Sequence, residues 1–228
     1  MKAKDKQLAF ETILADSFKQ HERRMLAYML ANKAKYQGLA SVITPSLKDS
    51  KAIYLRLAFA ILSANSPFAA SCEALKVANE KPGKIRWQDL SVLSGMTPGK
   101  AEWCNTVYWN CQRDPKQYLK APSETWQGYR LRLAKTVKGL GLAKASFAAC
   151  LLYPLTADLA CIDTWMEKVF LGYSSFKQLN LATYELVESK VRAYANKLGC
   201  NTFLAQWMIW DHARGEVNTH AIFPGSHK

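Results

Sequence analysis

The sequence predicts an all-α protein. Apolar residues recur at three- and four-residue spacing in several segments, and nowhere is a period-two alternation typical of a strand sustained. Glycine, proline and small polar residues separate these segments, and the chain contains no internal repeat or low-complexity stretch. With 228 residues, of which 49% are apolar and 21% charged, the chain is globular and long enough for one or two lobes with a substantial core.

The periodicity places the helices in order along the chain. They are predicted at residues 4–36, 51–64, 68–79 and 87–93, from 100 to the loop at 113–122, at 125–137 and 143–152, from 164 onward, and at 184–198 and 203–213. Gly38 and Pro45 bound a connector after the first helix, and Pro67 stops the second. Residues 172–180 form a polar connector, and the last dozen residues are predicted to be a tail.

The charge of the chain indicates its partner. Against 31 Lys and Arg residues stand 18 Asp and Glu residues, which gives a formal net charge of +13. Such an excess predicts a polyanionic partner, with nucleic acid as the first candidate and a membrane surface as the rival. Because the sequence has no 18-residue apolar run, no signal-peptide pattern and no lipidation motif, we expect a soluble, intracellular protein without a membrane partner.

The cysteine and histidine pattern argues against a metal site. None of the six cysteines forms a C-x-x-C pair, and most lie within apolar helical patterns, so buried reduced thiols are expected. The four histidines are scattered along the chain. The sequence therefore predicts no bound metal.

A glycine hairpin between two helices indicates phosphate binding. Gly139-Leu140-Gly141 separates the helical patterns 125–137 and 143–152. Glycines allow a tight turn with positive φ and a close approach of another backbone. The amides that open the second helix have no partners inside it, so they can bind an anion, and Lys138 and Lys144 add positive charge beside them.

Asp163 follows this hairpin at the start of another helix, delivered there by the apolar run 159–162. One interpretation is structural, since Asp is a common N-cap. However, Thr164 and Glu167 form a T-x-x-E capping box that could supply the cap without Asp163. The carboxylate would then be free at the positive end of a helix, which favours a functional role.

The hairpin, followed 22 residues after Gly141 by Asp163, resembles the helix-hairpin-helix (HhH-GPD) DNA glycosylase superfamily, in particular endonuclease III-like members. The resemblance covers about residues 52–215 and implies a two-lobed helix-hairpin-helix DNA glycosylase fold. One six-helix lobe would span 52–160 and carry the hairpin at about 125–152. Residues 1–51 and 164–228 would form the second lobe, with the active cleft between the two.

The resemblance implies a monomeric enzyme that flips a modified or damaged base out of double-stranded DNA and cleaves its N-glycosidic bond, as in DNA repair. Asp163 would be the catalytic carboxylate. Bifunctional members carry a Schiff-base lysine two residues after the second glycine, where this chain has Ala143, so a monofunctional enzyme is expected. Lys144 lies one residue later, rotated by about 100°, and is either a phosphate contact or a catalytic residue. With only Cys200 in the last quarter, no iron–sulfur cluster and no other cofactor is expected.

Further candidates come from the same resemblance. Asn65, in the phrase ILSAN that includes Ser63, stands where related enzymes insert a glutamine into the gap left by the flipped nucleotide. Lys100 begins the helix after a family-like turn. The predicted DNA contacts are Ser63, Asn65, Lys100, Lys138, Gly139, Leu140, Gly141, Ala143 and Lys144, and the candidates for the base pocket are Trp103 and Trp165.

Two other functions remain open at this point. GLGLAKASF followed by ACID also resembles a bacteriophage branch of the superfamily, whose members are thought to modify thymine-derived bases. Such an enzyme would substitute an amino acid or amine at the exocyclic methylene of the base. The third possibility is a non-catalytic DNA-binding module.

Overall fold

The computed structural model describes residues 3–174 and 179–215, with backbone alone described for residues 3–19. Its helices are α1 (Ala3–Ile43), α2 (Ser50–Leu62), α3 (Phe68–Glu80), α4 (Trp87–Leu90), α5 (Pro98–Arg113), α6 (Trp126–Thr136), α7 (Leu142–Leu152), α8 (Thr164–Leu171), α9 (Leu181–Leu198) and α10 (Thr202–Arg214), with a 3-10 turn at Pro115–Tyr118. Within these ranges the chain has no strand. The predicted all-α class is confirmed.

Helix α1 is longer than predicted. It continues through Gly38 to Ile43, so the expected connector starts six residues late, at Thr44. Tyr36, Ala40 and Ile43 are buried at helical spacing, and α1 packs against α10. This apolar face outweighs the cost of about 1 kcal/mol for a glycine inside a helix. The predicted helix 87–93 is shorter and ends at Leu90.

The helices pack in two groups. In the first, α2 packs against α3, α5 and α7, and α6 packs against α7. Every residue of α2 from Ile53 to Leu62 is buried, as expected for a helix that is apolar on all sides. In the second group, α10 packs against α1, α8 and α9. The lobe boundaries inferred above, 52–160 against 1–51 plus 164–228, stay a prediction.

Side chains of α9 hold the run 159–162 in place. The Tyr184 hydroxyl donates to the carbonyl oxygen of Ala160 at 2.6 Å and accepts from the amide of Ile162 at 3.2 Å. Glu188 Oε1 accepts from the Ala160 amide at 3.0 Å and from the buried Arg130 at 2.9 Å. These bonds satisfy backbone groups that would otherwise be buried without partners. They also fix the backbone immediately before Asp163.

The cysteines are all free, four of them buried and two half-buried. Burial raises the pKa of each of these thiols, for example that of Cys104 to about 12. Among the described residues, no helix is both long and apolar enough to cross a membrane. The predicted tail lies outside the described residues, as do residues 175–178 of the predicted connector.

Candidate active site

A cleft of about 730 Å³ lies where the two groups of helices meet. It is lined by the α2–α3 loop, the hairpin and first turns of α7, the start of α8, and one face of α10. Of the predicted site residues, those on the cleft are Ser63, Asn65, Gly139, Gly141, Ala143, Lys144, Asp163 and Trp165. Segments far apart in the sequence are thus brought to one surface.

The positive φ of the hairpin turn requires a glycine at position 139, whereas the φ at position 141 is negative and does not require one. Gly139 has φ of +89°, and a Cβ there would overlap the indole ring of Trp103. Gly141 is extended, with φ of −81°, and is the N-cap of α7 without a side-chain cap. The expectation of positive φ is therefore correct for Gly139 alone. With no side chain at Gly141, the first amides of α7 remain available to an anion.

The side chains in and around the hairpin lie in different environments. Lys138 is exposed, whereas Leu140 is buried and contributes no side chain to a DNA surface. Ala143 and Lys144 both line the cleft, so the rotation by one residue has not removed Lys144 from it. The Lys144 ammonium lies 5.4 Å from the centre of the Phe147 ring on the same helix.

Asp163 is both the N-cap of α8 and part of the cleft. Its Oδ1 accepts from the amides of Trp165 at 3.0 Å and Met166 at 3.1 Å. Its Oδ2 accepts from the indole N–H of Trp210 at 2.8 Å. The expectation that Thr164 and Glu167 cap this helix is wrong, because α8 begins at Thr164 and the residue before it supplies the cap. Asp163 is therefore a structural residue as well as a candidate catalytic one.

Arg214, on the last turn of α10, lies against the ring of Trp210, whose N–H bonds to Asp163. Its guanidinium carbon is 3.2 Å from the centre of a Trp210 ring and 5.1 Å from that of Phe68. Burial lowers the pKa of Arg214, and the nearby Asp211 and Asp163 partly offset the effect. Sequence reasoning missed both Trp210 and Arg214 as site residues. Their spacing of four residues at the end of an apolar helix was the available signal.

The loop at residues 63–66 is strained and firmly held. Asn65 has φ of +51° and is, in the described part of the chain, the one non-glycine residue with a positive φ. Such a backbone costs energy and is often found at functional sites. Lys100 supports the loop, because its ammonium donates to Leu62 O, Ala64 O, Ser66 Oγ and Gly95 O at 2.5 to 3.0 Å.

Two predicted site residues have other roles. Lys100 is only 4% exposed and its ammonium is fully engaged with protein oxygens, so the predicted DNA contact is wrong. Burial, and secondarily the charge of Lys144, lowers the pKa of Lys100 to about 8. Trp103 packs beneath Gly139 and Gly99 and lies outside the cleft lining, so it is not a pocket residue. Trp165 lines the cleft and is 38% exposed.

The glycine hairpin and the cleft with Asp163 at its edge lie within a fold that is shared with solved DNA glycosylase structures. The 8-oxoguanine DNA glycosylase of Thermotoga maritima superposes with a TM-score of 0.70 at 18% identity, over 88% of this chain and 99% of that one. The 8-oxoguanine glycosylase/lyase of Methanocaldococcus jannaschii, in complex with a 15mer DNA containing 8-oxoguanine, gives 0.68 at 17%, over 85% and 99%.

At this identity the likeness establishes the fold. The sequence itself matches no protein-family model and no curated protein. The predicted two-lobed helix-hairpin-helix class is thereby confirmed at the level of the fold.

Proposed function

We propose that the chain is a base-flipping DNA glycosylase, monofunctional, in which Asp163 is the catalytic carboxylate. The observation that carries this proposal is the position of Asp163 on the cleft that the hairpin also lines, within a fold shared with 8-oxoguanine DNA glycosylases. Since one of these relatives is described with DNA containing 8-oxoguanine, that base is the first candidate substrate.

The hairpin would hold the DNA backbone next to the flipped nucleotide. The amides at the start of α7 and the exposed Lys138 offer donors and charge to phosphate oxygens. Such contacts fix the register of the duplex without reading its sequence. Asn65, on the 63–66 loop that also lines the cleft, would fill the gap in the stack.

The hydrogen bonds of Asp163 leave its carboxylate with one free acceptor position. A carboxylate offers about four acceptor positions, and among the described residues three donors use them: Trp165 N, Met166 N and Trp210 Nε1. While it is ionised, the carboxylate stabilises the positive charge that builds on the sugar as the N-glycosidic bond breaks and its electron pair leaves with the base. The remaining acceptor position then takes the proton of the water whose oxygen bonds to C1′, and that proton neutralises the departing base anion, which restores the ionised carboxylate.

Ala143 supports the monofunctional assignment. A methyl group cannot form a Schiff base with C1′, and the adjacent Lys144 is the alternative amine on the cleft. We therefore expect release of free base without a covalent intermediate. The test is incubation with a duplex containing 8-oxoguanine, with and without borohydride, for the wild type and Lys144→Ala.

The outcomes of that experiment are distinct. Free base and abasic DNA with no trapped adduct support the proposal. A trapped adduct that disappears in Lys144→Ala would show that Lys144 is a nucleophile and that the enzyme is bifunctional. Absence of base release from any duplex bearing a modified base would refute glycosylase activity.

A second candidate function is a DNA base-modifying transferase on the same scaffold. The observation that favours it is the pair Ala143 and Lys144, which departs from the bifunctional pattern while keeping an amine on the cleft. In that reaction the N-glycosidic bond stays intact and the base gains mass. Mass spectrometry of the digested DNA separates the two functions, because one gives free base and the other a heavier nucleoside.

A further inference from the structure

The C-terminal end of α2 contacts a buried ammonium. Lys100 lies in the first turn of α5, where the positive end of its own helix disfavours a cation. Its side chain reaches instead to α2, where the carbonyl oxygen of Leu62 accepts from the ammonium at 3.0 Å. The last carbonyls of a helix lack partners within it and carry partial negative charge, so a cation is favourable at this end. Lys100 therefore stabilises the end of α2 and the loop that follows rather than its own helix.

The same ammonium joins the 63–66 loop to the turn at Gly95. Its other acceptors are Ala64 O at 2.5 Å, Ser66 Oγ at 2.6 Å and Gly95 O at 2.8 Å. The Ser66 hydroxyl in turn donates to Gly95 O at 2.9 Å. An ammonium has three N–H groups, so four oxygens at these distances use all of them. The loop is thus held at residues 64 and 66, on both sides of Asn65.

Asn65, between these two fixed residues, has the strained backbone of the loop. Its φ of +51° lies in the left-handed region, which asparagine tolerates better than most residues with a side chain. Gly95 packs against the same backbone, because a Cβ there would lie 2.5 Å from Asn65 O and 2.7 Å from the Cα of Ser66. A strained backbone persists only where its surroundings hold it. These contacts therefore fix the backbone of Asn65, while the residue itself is exposed and lines the cleft.

We propose that Lys100 is a positioning residue that, together with Gly95 and Ser66, holds the 63–66 loop in the conformation from which Asn65 enters a gap in the base stack. The proposal rests on the proposed function, because it requires Asn65 to insert into DNA. A loop that is ordered before binding loses little conformational freedom on insertion. Without the ammonium the loop samples other conformations, so insertion becomes weaker although Asn65 is intact.

Insertion can be measured without knowledge of the substrate base. The probe is a pair of duplexes of the same sequence, one intact and one carrying a tetrahydrofuran abasic analogue, which leaves a gap in the stack. The wild type should bind the abasic duplex at least about tenfold more tightly than the intact one. In Lys100→Met, assayed on folded protein at 25 °C, this abasic preference should fall about tenfold, with little change in affinity for the intact duplex.

A double-mutant cycle separates positioning from a general loss of stability. Asn65→Gly tolerates the left-handed backbone and removes the inserting side chain, so by itself it should reduce the abasic preference about tenfold. If Lys100 acts through Asn65, adding Lys100→Met to Asn65→Gly should change the preference by less than about twofold. At saturating protein, the fluorescence change of a 2-aminopurine beside the abasic analogue should also be smaller in Lys100→Met, because fewer bound molecules fill the gap.

A control and a milder variant accompany Lys100→Met. Lys33→Met also removes an ammonium that donates to a carbonyl oxygen at the end of a helix, Leu198 O at 2.7 Å. Lys33 lies outside the cleft lining, so the abasic preference of this variant should match that of the wild type. Ser66→Ala removes one acceptor of the Lys100 ammonium and keeps the ammonium itself, so it should lower the preference about fivefold.

Several results would overturn the proposal. A wild type that binds both duplexes equally would do so independently of any variant. A folded Lys100→Met that keeps the full preference would also do so, as would an effect of Lys100→Met that is equally large in the Asn65→Gly background. If Lys100→Met does not fold, Ser66→Ala decides, since a reduced preference supports the proposal and an unchanged one overturns it.

The positioning role and the glycosylase activity fail in different ways. Base release by a protein that shows no abasic preference would refute the positioning role and leave the glycosylase proposal standing. The expected pattern of abasic preference without base release from any duplex would refute the glycosylase proposal and leave the positioning role standing.

Discussion

Replacement of Asp163 by asparagine separates the helix-capping role that the structure shows for this residue from the catalytic role proposed for it. Asp163 Oδ1 accepts two amides of α8, and Oδ2 accepts the Trp210 N–H at 2.8 Å. An asparagine can retain one of these acceptor roles but not both. Whichever way the amide turns, an NH2 group opposes either the helix amides or the indole N–H.

The magnitude follows from these contacts. Loss of one hydrogen bond to a charged group, with a donor left unpaired, costs about 2 kcal/mol. For a chain of this length each kcal/mol lowers Tm by about 2–4 °C. We therefore expect Asp163→Asn to melt about 4–8 °C below the wild type and to remain folded at 25 °C. Turnover should fall at least about a hundredfold, since the variant lacks the negative charge that accepts a proton or stabilises the sugar cation.

The assay combines melting with single-turnover base release on the duplex that the wild type processes. Asp49→Asn is the matched control, because Asp49 also caps a helix, with its carboxylate accepting from the Lys51 amide at 2.8 Å. It lies outside the cleft lining and should lose no activity. In a Trp210→Phe background the indole N–H is absent, so Asp163→Asn should then cost less stability while its effect on turnover persists.

The reasoning is refuted by a specific combination of results. If Asp163→Asn melts early but its folded fraction releases base at the wild-type rate, Asp163 is a helix cap and the catalytic group lies elsewhere. If the variant melts like the wild type, the contact with Trp210 contributes no stability.

The remaining predictions concern the charged residues around the cleft. Affinity for duplex DNA should fall steeply with salt, and Lys138→Ala should reduce the slope of log affinity against log salt by about 0.9. The matched control is Lys190→Ala, because Lys190 is exposed on α9. An unchanged slope in Lys138→Ala would exclude Lys138 as a phosphate contact. Lys100→Met should lower the free energy of unfolding by about 3 kcal/mol, because it removes the ammonium that donates to the carbonyl oxygens of Leu62, Ala64 and Gly95. Of these oxygens, only those of Ala64 and Gly95 keep a second side-chain donor among the described residues, the Ser66 hydroxyl. A fall in Tm of less than about 3 °C would contradict this prediction.

The sequence predicted the class of fold because helical periodicity is a local property. The apolar pattern of α2 and the glycine hairpin each depend on neighbours within a few residues. The end of α1 did not follow from local signals. Gly38 is a helix breaker by propensity, but burial of Tyr36, Ala40 and Ile43 continues the helix past it. Packing against α10, 160 and more residues later, is not visible in that segment.

Site residues that belong to a sequence motif were predictable, whereas those that are set by contacts between distant segments were not. Asp163 was predicted from its distance to Gly141, and it lies on the cleft, but its bond to Trp210 joins segments far apart in the sequence. Lys100 illustrates the opposite error, since a lysine at a helix start is usually solvated. Its ammonium is instead buried beneath the 63–66 loop, where four oxygens from two segments converge. No sequence pattern indicates that these four oxygens will surround one ammonium.

Excision and modification of a base make the same demands on most of this cleft. Both would need the phosphates held at the hairpin, the base within the cleft, and an ionised Asp163 with one acceptor position left. In excision that position takes the proton of water attacking C1′; in substitution it takes the proton of an amine attacking an exocyclic carbon. Loss of Asp163 should therefore abolish either reaction, whereas only excision leaves an abasic site. The dependence on Asp163 locates the chemistry, and the state of the N-glycosidic bond decides which reaction it is.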